Sequence, residues 1–226
     1  RSAERIVEGE RMPKITKEES LARRNEIIDA CEALYQAESY RDITMTQVAA
    51  KVSFGRANVY NYFQNKDEIL LALLQREHEL WAADLESLAA RASSLSDEQL
   101  ADELARSVQA REQMLKLLAM NLYDMEQNSR LESLIEFKHA YKRTVETLGK
   151  VLATAKPHWS DERRNLFTFA FLPFLHGGLH GIHLAVLHLG DKELGGLHID
   201  HRHLAEIAVQ ISGINAVQGG QSGIVQ

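Results

Sequence analysis

The sequence predicts an all-α fold, and three observations predict it. Apolar residues recur at helical spacing through most of the chain, as at Ile27, Ile28, Cys31, Leu34 and Tyr35. Hydroxyl or amide residues followed three positions later by Gln or Glu, at Thr44 and Gln47, Asn65 and Glu68, and Ser96 and Gln99, read as helix starts. Finally, residues 44–66, reading TMTQVAAKVSFGRANVYNYFQNK, spell two short helices separated by a tight break.

Each element follows in turn. Residues 1–19 are charged and aperiodic and read as an arm, and a long amphipathic helix over about 20–38 is expected to cover the short pair. Thr44 caps the first short helix, whose apolar face is Val48, Ala49 and Val52. Ser53-Phe54-Gly55 makes the break, which glycine can supply by adopting φ > 0. A second helix from about Arg56 puts Val59 and Phe63 on its buried side, leaving Arg56, Asn58, Tyr60, Asn61 and Tyr62 to face elsewhere.

Asn65 starts a helix to about residue 92 that carries Ile69, Leu70, Leu73, Leu74, Leu80 and Trp81. Residues 93–96 form a loop. Helices are expected from Ser96 to about 110, over 114–123 and over 130–155, with Pro157 and Ser160 setting up the next start. Residues 166–189 are apolar on every side, so they should be buried, and Pro173 should kink or break them. A loop over 190–199, a helix over about 200–217 and a tail over 218–226 complete the chain.

Composition bounds the function. At 226 residues and 45% apolar, with no apolar run long enough for a bilayer, the chain reads as one or two soluble domains without a membrane partner. The N-terminus lacks the apolar stretch of a secretory signal, and a single cysteine, Cys31 on an apolar face, reads as a buried, inert thiol; a cytoplasmic protein is expected. Net charge is -6, but it is unevenly placed: residues 1–66 carry 11 Lys/Arg and 10 Asp/Glu, whereas residues 67–226 carry 15 and 22. Within 41–66, Arg41, Lys51, Arg56 and Lys66 oppose only Asp42, a local basic patch of the kind that attracts phosphates.

A short helix with donors, acceptors and phenols on its free face suits the DNA major groove, where base edges are read by hydrogen bonds. The segment closely resembles the N-terminal DNA-binding domain of the TetR family of transcriptional regulators, over roughly fifty residues. The resemblance rests on Val48-Ala49, the Ser53-Phe54-Gly55 turn, Val59-Tyr60-Asn61-Tyr62-Phe63 and Lys66-Asp67-Glu68-Ile69-Leu70. One departure stands out: Ser53 and Gly55 occupy each other's usual places, leaving Gly as a weaker cap for the second helix.

The resemblance implies an N-terminal three-helix domain over 20–66 and a larger C-terminal helical domain over 67–217 for effector binding and dimerisation. It implies a homodimer on double-stranded palindromic operator DNA, acting as a ligand-responsive repressor through movement of the helix over about 66–91. DNA contacts are expected from Thr44, Thr46, Arg56, Ala57, Asn58, Tyr60, Asn61, Tyr62 and Lys66. Two long C-terminal helices per subunit would form the dimer seam, with Gly177, Gly181, Leu204, Ile207 and Ile211 as its candidate residues.

Of these, Gly177 and Gly181, with Gly178, have their own physical reading: each glycine inside a helix is unfavourable by about 1 kcal/mol relative to alanine, which points to close backbone approach or to a break. The effector is a small molecule unidentified by sequence. Its candidate pocket residues are Met114, Met120, Tyr123, Phe137, Tyr141, Phe167, Phe171 and Phe174, since apolar walls with a few polar tips bind such ligands.

No nucleophile elbow, P-loop, zincin motif or paired cysteine is present, so no enzyme and no cofactor are expected. His176, His180 and His183 share one helical arc, but no carboxylate or thiol joins them there; they read as interface or cavity residues rather than a metal site. Two alternatives remain: a regulator sensing metal through these histidines, and a helical ligand-binding protein without operator activity.

Overall fold

The computed structural model describes residues 15–176, apart from the side chains of Met120, Asn121 and residues 173–176. Among the described residues there are eight α-helices, one 3-10 turn and no strand. The expected dimer-seam residues, the histidines beyond 176 and the 200–217 helix lie outside the described residues.

The first three helices, α1 (Lys17–Ala37), α2 (Met45–Ala50) and α3 (Arg56–Val59), form the N-terminal head. Helix α1 starts three residues before the expected position. Thr16 accepts from the Glu19 N–H while the Glu19 carboxylate accepts from the Thr16 N–H, a capping box hidden in the sequence by the charged run around it. The capping box of Thr44 and Gln47 opens α2 as expected. Helix α3 is a single turn; beyond it the Phe63 N–H still donates to the Val59 carbonyl, which keeps Val59 and Phe63 on one buried side.

Helix α4 (Lys66–Ala89) is the centre of the molecule, packed against α1, α6 (Glu112–Asn128) and α7 (Leu131–Ala155). It ends earlier than expected, and Ala92–Ser94 form a 3-10 turn where a plain loop was anticipated. Helix α5 (Asp97–Gln109) has its Ser96 and Gln99 capping box, and α8 (Asp161–His176) is capped by the Ser160 hydroxyl and is not ended by Pro173. On α4, Leu80 is 45% exposed rather than in the core, while its neighbour Trp81 is fully buried and donates its indole N–H to the Ser107 hydroxyl.

The N-terminal end of α4 buries two carboxylates, Asp67 and Glu68. Asp67 accepts from the Tyr40 hydroxyl at 2.5 Å and from the Asn128 amide at 2.7 Å. Glu68 accepts from the Gln64 N–H (2.8 Å), Arg130 Nε (2.6 Å) and the Ser133 hydroxyl (2.7 Å). Burial alone would raise the Glu68 pKa, but the hydrogen bonds from Arg130, Gln64 and Ser133 outweigh it and hold the carboxyl below the usual range.

Two consequences are measurable. Phe63→Ala should cost about 3 to 5 kcal/mol in urea unfolding, because the ring is buried between head and α4, whereas Leu80→Ala should stay within about 0.5 kcal/mol. A group whose folded pKa is depressed stabilises the fold above its unfolded pKa, near 4.3, and loses that contribution as pH falls through the folded pKa. Unfolding between about pH 6 and pH 3 should therefore show a shallower acid decline in Glu68→Gln than in the parent chain.

Candidate nucleic-acid interface and effector seam

Burial of Val59 and Phe63 turns the rest of the α3 segment outward. Arg56, Ala57, Asn58, Tyr60 and Asn61 are exposed, together with Thr44, the cap of α2, and Thr46 on α2. Asn58 and Asn61 stand one turn apart, the Asn61 amide donating to the Asn58 side-chain oxygen at 3.4 Å. The Thr44 hydroxyl is engaged at the start of α2 by its own cap. Tyr62 is half-buried, its ring 6.3 Å from that of Phe54.

The turn before α3 differs from expectation in its mechanism. Gly55 has φ -61° and ψ 140°, outside the left-handed region, and it caps α3 without a side-chain bond. Ser53 is held instead by Glu26 of α1, whose carboxylate accepts from both the Ser53 N–H and, at 3.0 Å, the Ser53 hydroxyl. The serine displaced from the cap position thus fixes the turn through a contact 27 residues away in sequence. Arg23 and Arg24 of α1 lie over the rings of Phe54 and Phe63, at 5.3 Å and 5.4 Å.

Lys66, expected on a phosphate, is turned inward. Its ammonium donates to the Tyr40 carbonyl at 2.6 Å and sits 4.3 Å from the Tyr40 ring centre, because a helix starting beside the end of α1 puts the side chain against that end. Cys31 is buried beneath, its thiol pushed up to about 12 by desolvation, which suits an inert core residue.

In the second domain, four expected pocket residues come together with α4. His78 meets Tyr141 and Phe137 edge-on at 5.4 Å and 5.8 Å, and Trp81 faces Phe171 at 6.5 Å, which stacks on Phe167 at 5.7 Å. His78 Nδ1 lies 3.3 Å from the Thr144 hydroxyl. Burial pushes the Tyr141 phenol up to about 12. Met114 is buried, but Tyr123 is 74% exposed and lines no interior wall, because the buried face of α6 is set by Met114, Leu117, Leu118 and Met125. The side chains of Met120 and Phe174 lie outside the described residues.

An open groove of about 420 Å³ between α4 and α7 is lined by Gln75, Glu79, Ile135, Glu136, His139, Ala140 and Arg143, and by none of the expected pocket residues. Among the described residues no helix is long and apolar enough to cross a membrane, and no cluster of three or more His, Cys, Asp or Glu has metal-holding geometry.

Comparison with known proteins gives this geometry a lineage. The model of "bacterial regulatory proteins, tetR family" matches residues 27–73, and that of "tetracyclin repressor-like, C-terminal domain" matches residues 75–204. An HTH-type transcriptional repressor of Mycobacterium tuberculosis, Rv1474c, is 26% identical over 72 residues, 32% of this chain; the match spans only 38% of that repressor.

Two solved structures share the fold over most of the chain. A TetR-family regulator from Mesorhizobium loti aligns with TM-score 0.53 at 16% identity, covering 89% of this chain and 98% of its own. The multidrug binding protein EbrR, complexed with imidazole, aligns with TM-score 0.53 at 16% identity, covering 76% and 96%. With its N-terminal head and its C-terminal helices both matched, the chain belongs to the TetR family of transcriptional regulators.

Proposed function

We propose that this regulator is a ligand-responsive repressor that binds a palindromic operator as a homodimer, one α3 segment in each major-groove half-site. The observation that carries the reading is the α3 segment itself. Val59 and Phe63 anchor it to the core, so Arg56, Asn58 and Asn61 are presented together on a rigid outward face that ends in an exposed Tyr60.

The side chains divide into two roles. Arg56, Asn58 and Asn61 face base edges; Thr44, Thr46, Tyr60 and Lys51 meet the flanking backbone, and Ala57 sits where a thymine methyl would be met. Lys66 acts from inside, tying the end of α1 to the start of α4. The effector is an uncharged or amphipathic small molecule bound against the Phe137, Tyr141, Phe167 and Phe171 seam, whose rings are apolar with a phenol, an imidazole and a hydroxyl at its edge. EbrR, a multidrug binding protein of the same fold, supports the idea that such a domain receives small molecules.

Selection from random duplex DNA followed by mobility shift tests the reading: a palindromic sequence should emerge, and failure to enrich any sequence would overturn it. On the selected site, Arg56→Ala and Asn58→Ala should relax sequence preference by about 1 to 3 kcal/mol per lost base contact. Lys51→Ala should instead weaken all sequences alike and lower the salt slope by about 1. The reverse pattern would invert the assigned roles.

The family resemblance supports a dimer seam on the C-terminal helices, with Ile207 and Ile211 on the apolar face read from the sequence. Light scattering should find helical monomers for Ile207→Glu or Ile211→Glu, since an unpaired carboxylate in an apolar interface costs several kcal/mol. Operator affinity should fall in parallel. Dimer mass retained in both variants would move the interface elsewhere.

A further inference from the structure

We propose that Arg130 is a positioning residue for operator recognition, a two-pronged tie that sets the angle between each reading head and its effector domain. The inference rests on the operator-binding reading above. Arg130 sits at the junction of α6 and α7, immediately before Leu131. Its Nε donates to the Glu68 carboxylate at 2.6 Å and its Nη2 to the Tyr62 carbonyl at 2.8 Å. Tyr62 closes the turn that follows α3, so one guanidinium holds the end of the recognition segment, the first turn of α4 and the α6–α7 corner at once.

The partners leave little freedom. Glu68 is fully buried, and its other hydrogen bonds come from Ser133 on α7 and from the Gln64 N–H beside the head. A rotation of the head that breaks the Arg130 bond to Tyr62 also disturbs the donor set of a buried carboxylate, which is costly. Asn128, two residues earlier at the end of α6, repeats the pattern. Its carbonyl accepts from the Asn65 amide at 2.8 Å and its own amide donates to Asp67 at 2.7 Å. The α6–α7 corner therefore grips both sides of the α4 start. Arg130 reaches its two acceptors from two separate nitrogens, Nε and Nη2, of a planar fork; a lysine ammonium at the same place keeps the charge but presents its donors from one nitrogen.

The test uses the full-length dimer, the palindrome selected as above, its isolated half-site and a version with one base pair inserted between the half-sites. Arg130→Gln should bind the half-site as the parent does, lose about tenfold on the palindrome, and show a smaller penalty for the insertion, because heads free to swing gain less from joint engagement. Arg130→Lys should share the palindrome loss despite its retained charge, and it carries the test if Arg130→Gln fails to fold.

Equal losses on half-site and palindrome would show a merely structural role and overturn the proposal. So would palindrome affinity and spacing preference unchanged in both variants. If the parent chain itself shows no advantage of palindrome over half-site, the dimeric operator reading fails and this proposal fails with it.

Discussion

Eight consecutive residues of α4, from Asp67 to Leu74, are buried, and the rest of the structure is arranged around that constraint. A helix buried on all sides needs neighbours on all sides, which α1, α6 and α7 supply. Two of the eight are carboxylates. Removing ionised carboxylates from water is tolerable only if their oxygens are fully hydrogen-bonded, so Tyr40, Gln64, Asn128, Arg130 and Ser133 have to converge on one place. The head cannot be docked in another orientation without stranding one of these groups.

The same logic explains how α1 ends. Its last turn carries no basic residue to meet its carbonyls. The cations come from elsewhere: Lys116 of α6 donates to the Tyr35 carbonyl at 2.8 Å, and Lys66 of α4 donates to the Tyr40 carbonyl just beyond the helix. Arg76 of α4 adds an ion pair with Asp29 and another, at 2.7 Å, with Glu32. The second domain therefore completes the first helix of the head, and the boundary between them is a polar joint rather than a linker.

Sequence was informative where the interaction is local. The boxes of Thr44 with Gln47 and Ser96 with Gln99 span three residues and could be read directly; the equivalent box of Thr16 and Glu19 was obscured by the charged run around it. Periodicity found Val59 and Phe63, whereas Leu80 on α4 and the pocket candidate Tyr123 are exposed, since apolar side chains are common on protein surfaces. The contacts that fix the head lie 27 residues apart for Glu26 and Ser53, and 62 for Glu68 and Arg130. No spacing rule links such pairs, and a buried glutamate just inside a helix looks in sequence like an ordinary first-turn acid. The inward turn of Lys66 was invisible for the same reason: its acceptor is a backbone carbonyl, which every residue has.

The aromatic seam and the head share α4 as a single rigid rod. Trp81 and Glu68 are separated by thirteen residues, about 20 Å along a helix that is continuous from Lys66 to Ala89. A ligand wedged between Trp81 and Phe171, or between His78 and Tyr141, would have to displace α4 relative to α7 or α8, because these rings already meet at contact distances. At the other end of the rod Arg130 and Ser133 hold Glu68 from the start of α7. Movement of α4 against α7 at the seam would thus be opposed by the polar joint at the other end. On the proposed reading, a ligand at the seam and the polar joint would bias one helix position from opposite ends, and such a coupling would need no chain of intermediate residues to carry it.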